Sequence, residues 1–163
     1  MLRVIFSRPK KFKLFSWMIM KWQGNTDYSH ASIFTQVEDK NVIIESSYGK
    51  VHLTDYDEWL DINIETESFT KRSLTKETQS EITFEALSHI DKPYGFATVV
   101  GIVLYDMFGW TVFDDNTKSF TCSEFVYHVL RKYNLVPEVP EPEYIKPIQL
   151  LELMKSIAKQ EEE

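Results

Sequence analysis

The sequence predicts an α+β protein, an antiparallel sheet packed against helices. Three observations predict it. Short alternating or β-branched runs cluster between Ser29 and Ile64. Longer segments with apolar residues three and four apart lie on either side of them. Turn-forming residues separate the short runs closely enough for hairpins. The 163 residues show no internal repeat and no second domain, so one domain spanning 1–163 is expected.

Taken in order, Leu2 to Phe6 reads as a short strand and Pro9 interrupts it. Phe12, Phe15, Met18, Ile19 and Trp22 mark an amphipathic helix ending near Gly24, and residues 1–24 form a basic N-terminal segment. Asn25-Thr26-Asp27 is a turn. Ser29 to Val37 and Val42 to Ser47 read as paired strands joined by Glu38-Asp39-Lys40-Asn41. Tyr48-Gly49 closes that pair. Val51 to Leu53 and Ile62 to Ile64 read as further strands, with Trp59 and Leu60 packed under the connection. Thr75 to Ile90 reads as a helix with Ile82, Ala86, Leu87 and Ile90 inward, stopped by Pro93. Tyr94 to Phe108 reads as a strongly apolar helix, and Asp114-Asp115-Asn116 as a loop. A capped helix covers Cys122 to Tyr133. Pro137, Pro140 and Pro142 stiffen a connector over 137–147. Pro147 suits the first position of a final helix over 148–160, followed by a frayed acidic tail.

Charge is unevenly spread. The total is −7, yet six basic and no acidic residues precede Asp27, which leaves −13 for the rest. The basic residues Arg3, Arg8, Lys10, Lys11, Lys13 and Lys21 interleave with Phe12, Phe15, Trp17 and Trp22. Residues 3–22 therefore read either as a solvated helix face or as a surface for a membrane or an anionic polymer. The acidic remainder argues against nucleic acid as a partner. A single cysteine excludes an intramolecular disulfide and favours a reducing compartment. Residues 14–20 are too short an apolar run for a signal peptide and lack a small-residue cleavage site. The apolar stretch from Tyr94 to Trp110 is broken by Gly95, Gly101, Asp106 and Gly109, and it falls short of the ~20 clean residues of a spanning helix. The expectation is a cytoplasmic protein, virus- or phage-encoded ones acting in a host cell included.

The only cysteine, Cys122, lies in Phe120-Thr121-Cys122-Ser123-Glu124-Phe125-Val126. Thr121 and Glu124 fit a capping box, and Phe120 and Phe125 occupy the positions of a hydrophobic staple. Cys122 then sits at the first helical position, where free N–H groups and the dipole favour a thiolate. A lone cysteine also serves as a small buried hydrophobe, but burial needs no cap. Glu124 is assigned to the capping box rather than to chemistry.

A thiol nucleophile needs a base and the base needs an orienting group. His128 lies on another side of the cysteine's own helix. His89 is near a helix end, where a cation complements the dipole. His52 lies on a short strand with no marker beside it. His30 begins a strand directly after a turn, in Tyr28-Ser29-His30-Ala31-Ser32-Ile33, and is the candidate base. Glu45, in Val42-Ile43-Ile44-Glu45-Ser46, is the ionisable candidate on the paired strand. Register decides its position. A two-residue turn at Glu38-Asp39 puts His30 opposite Ser47 with Glu45 on the diagonal, ~7–8 Å away at the backbone. A turn centred on Asp39-Lys40 keeps the face but adds two residues. A three-residue loop with Asn41 left-handed flips Glu45 away, into the role of an edge-strand carboxylate facing water. The spacing leaves all three open. One cysteine and scattered histidines give no zinc-ligand spacing, and the five glycines form no phosphate loop, so neither metal nor cofactor is expected.

The order Ser-His-Ala-Ser-Ile, a Glu on the next strand, Thr-Cys-Ser-Glu-Phe-Val opening a helix, and Ile-Lys-Pro-Ile-Gln-Leu near the C-terminus resembles the circularly permuted papain-like cysteine hydrolases. The resemblance is to the YiiX-like branch of the NlpC-type superfamily and covers residues from about 25 to 152. That family often has a small hydrophobe and a glycine after the histidine, where this chain has Ala31 and Ser32. The resemblance implies the permuted papain-like fold, with the nucleophile at a helix N-terminus. It implies Cys122 as nucleophile, His30 as general base and Glu45 as orienting acid, cleaving a peptide or isopeptide amide through an acyl-enzyme. The backbone N–H of Cys122 is the expected oxyanion donor, with Tyr28, close to His30 in sequence, as a second donor and Ser123 beside them in the substrate groove. The same resemblance leaves room for lipid esters and amides, as in lecithin–retinol acyltransferase-like enzymes. A third alternative is a binding module with a vestigial triad.

Overall fold

The computed structural model describes residues 1–70, 73–95, 99, 101 and 119–160. The elements run β1 (Arg3–Pro9), α1 (Leu14–Trp22), β2 (His30–Val37), β3 (Lys40–Ser47), β4 (Lys50–Asp55), α2 (Tyr56–Ile62), β5 (Asn63–Phe69), α3 (Lys76–Ser88), α4 (Cys122–Lys132), a 3₁₀ turn (Pro142–Tyr144) and α5 (Pro147–Gln160). The five strands form one sheet in the order β4-β3-β2-β1-β5. Every neighbouring pair is antiparallel. The fold is α+β, as expected.

Two tight turns set the register. Glu38 and Asp39 both have positive φ, 49° and 64°, and Val37 pairs with Lys40. This is a two-residue turn of the kind whose twist matches the strands. Tyr48 and Gly49 repeat it between β3 and β4, at φ 49° and 94°. Glycine suits the second of those positions because it has no Cβ to clash at positive φ.

Alternation along the strands then sorts side chains to two faces. Val4, Phe6, Ala31, Ile33, Ile44 and Val51 face a large core closed by α3, α4 and α5, with Ile82, Phe125, Val126 and Leu150 fully buried there. Ile5, Phe34 and Ile43 face the other way, onto Trp59 of α2. That second core is small, and His30 and Glu45 share its face.

Four sequence expectations need correction. The connection before β5 forms a helix, and the strand expected from Ile62 starts at Asn63. Asp55 caps α2 by accepting from the N–H groups of Asp57 and Glu58. Only Trp59 of its seven residues is buried, so no apolar stripe marked it. Pro9 does not interrupt β1 but ends it, paired with Asn63. The helix expected over Thr75 to Ile90 runs only from Lys76 to Ser88, with Thr75 as its cap. The last correction concerns α1: Phe12 lies before it and is exposed, Met18 faces solvent, and Ser16 is buried alongside Ile19. The expected helix from Tyr94 to Phe108 falls almost wholly outside the described residues, as do the loop at 114–116 and the last three residues. Among the described residues no helix is long and apolar enough to cross a membrane.

Candidate active site

The tip of α4 is held from three sides. Thr121 Oγ1 accepts the Glu124 N–H at 3.2 Å, and Glu124 Oε2 accepts the Thr121 N–H at 3.1 Å. This closes the capping box and gives Glu124 a structural role. One residue earlier, the Phe120 carbonyl accepts from Ser46 Oγ at 2.7 Å and from the Gly95 N–H at 2.9 Å. Cys122 is therefore the first residue of a helix whose start is tied to β3 and to the segment around Tyr94. Its side chain is buried, 5% exposed.

His30 reaches that tip from the start of β2. The β2–β3 register, Ile33 opposite Ile44, sets Ser47 across from His30 and Glu45 on the diagonal. His30 Nε2 meets Glu45 Oε2 at 2.8 Å, and His30 also hydrogen-bonds the Cys122 thiol. With Nε2 taken by the carboxylate, Nδ1 is left for the sulfur. Backbone N–H groups of Ala31 and Ser123 also donate to Cys122.

Glu45 is saturated with donors. Trp59 Nε1 donates to Oε2 at 3.1 Å, and Ser47 Oγ donates to Oε1 at 3.0 Å. Ser47 Oγ in turn meets His52 Nε2 at 2.8 Å. His52 pairs directly across from Glu45 in the β3–β4 register. The sequence reading found nothing beside His52, because its neighbour becomes apparent only once both turns are known.

These contacts set the charges. Burial opposes ionisation of Glu45, but His30, the Trp59 N–H and His52 outweigh it and hold the carboxyl down at about 2. Burial likewise opposes a charged His30, yet Glu45 and Cys122 raise its pKa well above the usual imidazole value. The Cys122 thiol is pushed up by burial and pulled down further by His30 and the two backbone donors. Both shifts run toward a thiolate–imidazolium pair backed by a carboxylate. That is the arrangement a cysteine nucleophile requires.

The chain matches, over residues 3–160, the permuted papain-like amidase enzymes described as YaeF/YiiX, C92 family. The chain belongs to this family. The crystal structure of yiiX from Escherichia coli O157:H7, described there as a metalloprotein, is similar with a TM-score of 0.56. It is 20% identical in sequence, and the likeness covers 93% of this chain and 91% of that one. The fold is therefore the permuted papain-like one. No curated protein matches.

In this amidase-family chain one expected groove residue, Tyr28, lies elsewhere, and the other, Ser123, meets the sulfur through its backbone alone. Tyr28 packs edge-on against Phe6 inside the large core, at 5.6 Å between ring centroids. Burial and the charges of Glu67 and Glu152 raise its pKa to about 12. It faces the helices and not the groove, because its ring joins the Phe6 side of the sheet. The Ser123 hydroxyl is also committed, donating to the Ile145 carbonyl at 2.5 Å. Only the Ser123 backbone N–H touches the sulfur.

The phenol near Cys122 is Tyr94 instead. Its pKa is raised by burial and by the charge of Cys122. Its backbone N–H donates to the Gly49 carbonyl, and it forms a parallel bridge with Phe120. These two ties carry the ring from a distant segment to the α4 tip. Pro93-Tyr94-Gly95 carried a usable signal, a Pro–Gly-flanked aromatic, but reading it as a helix start hid it. Beside His30 and Tyr94 the described residues enclose a cavity of about 380 Å³, walled by Phe15 and Ile19 of α1 and by Tyr48.

A second cluster lies away from this site. Donor atoms of Glu85, His89 and His128 come within 4.8 Å of one another. Glu85 is shared by Lys132 and by His89 Nε2, the latter at 3.1 Å. His89 was read as a cation on a helix end. Burial and Lys92 lower its pKa, so it caps α3 as a neutral ring.

Proposed function

We propose that the chain is a thiol hydrolase that cleaves an amide, peptide or isopeptide, through Cys122, His30 and Glu45. The carrying observation is the His30 ring, held between the Glu45 carboxylate at 2.8 Å and the Cys122 sulfur. The Cys122 thiolate attacks the carbonyl carbon. The developing oxyanion is met by the Cys122 backbone N–H at the helix start and by the Tyr94 hydroxyl. Protonated His30 gives its proton to the leaving nitrogen as the C–N bond breaks, which leaves a thioester. Neutral His30 then takes a proton from water. The hydroxide attacks the thioester carbonyl, the C–S bond breaks, and acid and thiolate are released. Glu45 stays ionised throughout and keeps the imidazole in its tautomer. Trp59, Ser47 and His52 hold Glu45 in place.

The apolar walls of the cavity, Phe15 and Ile19, support a second reading in which the acyl group is a lipid chain. A panel of peptide amides and fatty-acyl esters, each with and without vesicles, separates the two. The hydrolase reading is tested by alkylation. Cys122 is expected to react with iodoacetamide at pH 6 far faster than a free thiol, and His30→Ala to slow it at least about tenfold. Reaction only above pH 8, indifferent to His30, would leave a binding module with a vestigial triad.

A further inference from the structure

Helix α1 is apolar on both sides: Ile19 is buried and Phe15 half-buried, yet further apolar residues face out. Its inward residues include Ser16, whose hydroxyl bonds Ser29, and the helix ends on buried Gln23. Gln23 accepts the Ile148 N–H at 2.8 Å and donates to the Tyr28 carbonyl at 3.4 Å. Its outward residues are Leu14, Trp17 and Met18, at the spacing of one helical stripe. They are 62%, 43% and 40% exposed, and Phe12 just before them is 75% exposed. A solvated face would carry these residues inside and polar ones outside.

Lys10, Lys11, Lys13 and Lys21 surround the stripe. Lys13 bonds the Tyr48 hydroxyl at 2.6 Å, and Lys21 bonds the Asn25 side chain at 2.7 Å. Among the described residues none of these four lysines pairs with a carboxylate. Their charge is uncompensated on a chain that carries −13 beyond residue 26.

We infer that the outer face of α1, with Phe12 and the surrounding lysines, docks on an anionic lipid surface. An exposed apolar stripe ringed by lysines matches the acyl–headgroup boundary in both its parts: rings and aliphatic chains enter the boundary, and ammonium groups meet phosphates. Charge complementarity selects the occupant, since the acidic bulk is repelled by such a surface and only this segment is drawn to it. Phe15 and Ile19, on the inner side of the same helix, wall the cavity beside His30. Docking therefore sets the mouth of that cavity at the lipid boundary. That orientation rests on the hydrolase reading; the docking itself does not.

The test is co-sedimentation with vesicles of 30% phosphatidylglycerol in phosphatidylcholine, and with phosphatidylcholine alone. The full chain and Cys122→Ser are compared, so that loss of hydrolysis and loss of docking read separately. Binding to the anionic vesicles is expected for both, weakened in high salt, with at least about tenfold weaker binding to phosphatidylcholine. Tryptophan emission shifts to the blue on binding, and Trp17→Phe removes most of that shift. Trp17→Glu with Met18→Glu abolishes binding. Lys10→Glu with Lys11→Glu, both exposed residues, weakens it at least about tenfold. Equal binding to both vesicle types, binding indifferent to these changes, or no binding would overturn the proposal. A dimer in sedimentation velocity that Trp17→Glu with Met18→Glu dissolves, with no vesicle binding, would overturn it in favour of a second copy of the chain.

Discussion

Helices α1 and α4 border the same site and follow opposite rules. α4 has its apolar side in, a closed capping box, Glu124 in its first turn and Arg131 and Lys132 in its last. Each feature favours the helix by itself and agrees with the others. α1 has an uncapped start at Lys13, no acidic residue in its first turn, and apolar residues outside. The difference teaches where each helix gets its reason to exist. α4 is fixed by the core and holds a sulfur to within hydrogen-bonding reach of a ring. α1 is anchored by Ile19 and a few polar contacts and offers a second apolar stripe to something else.

The comparison breaks most visibly at the core side of α4. Phe125 is fully buried in the large cluster. Phe125→Ala is expected to cost about 3–5 kcal/mol in urea unfolding, from lost transfer energy and the cavity left behind. A cost below about 1 kcal/mol would mean that α4 is not the anchor this contrast makes it.

Much of the α4 half was legible in the sequence because its signals are local. A Thr and a Glu three apart name a cap, and the one cysteine between them follows. The His30–Glu45 pair was legible only as one of three registers, because a turn of Glu38 and Asp39 at positive φ lacks the usual glycine. Tyr94 and His52 were hidden for a different reason. Their neighbours come from strand pairing and isolated bridges with Gly49 and Phe120, which no spacing announces. The exposed stripe of α1 was hidden as well. A helical stripe tells which residues share a side, not whether that side meets protein or solvent.

The site between the two helices carries the next effect. Glu45 is held at about 2 against an ordinary value of 4.5. A depressed carboxyl stabilises the fold fully above its unfolded value and loses that contribution as pH falls through the folded one. The shift corresponds to about 3 kcal/mol, lost between pH 4.5 and about 2. His30 runs the other way. Its raised pKa contributes fully below the ordinary 6.5 and is lost as pH rises through the folded value. Urea unfolding from pH 5 down to pH 2 is expected to fall more steeply in the wild type than in Glu45→Gln. Parallel curves would mean that the carboxylate is not the charge holding His30 at the α4 tip.

The smallest effects sharpen the contrast within α1 itself. In an ordinary amphipathic helix an apolar residue contributes more to stability than a polar one, because the apolar one is inside. Here the order is reversed. Gln23→Ala strips the Ile148 N–H of its acceptor, and a buried unsatisfied donor costs about 1–3 kcal/mol. Trp17→Ser removes a larger apolar surface, but 43% of that residue already faces water, so the change is expected to cost less than about 1 kcal/mol. The two melting curves decide it. If Trp17→Ser costs more than Gln23→Ala, the stripe is covered by the protein's own chain and is not available to a lipid surface. If the order holds, a tryptophan that contributes little to folding stays exposed on the helix that walls the cavity beside His30, and its reason lies in what the protein meets.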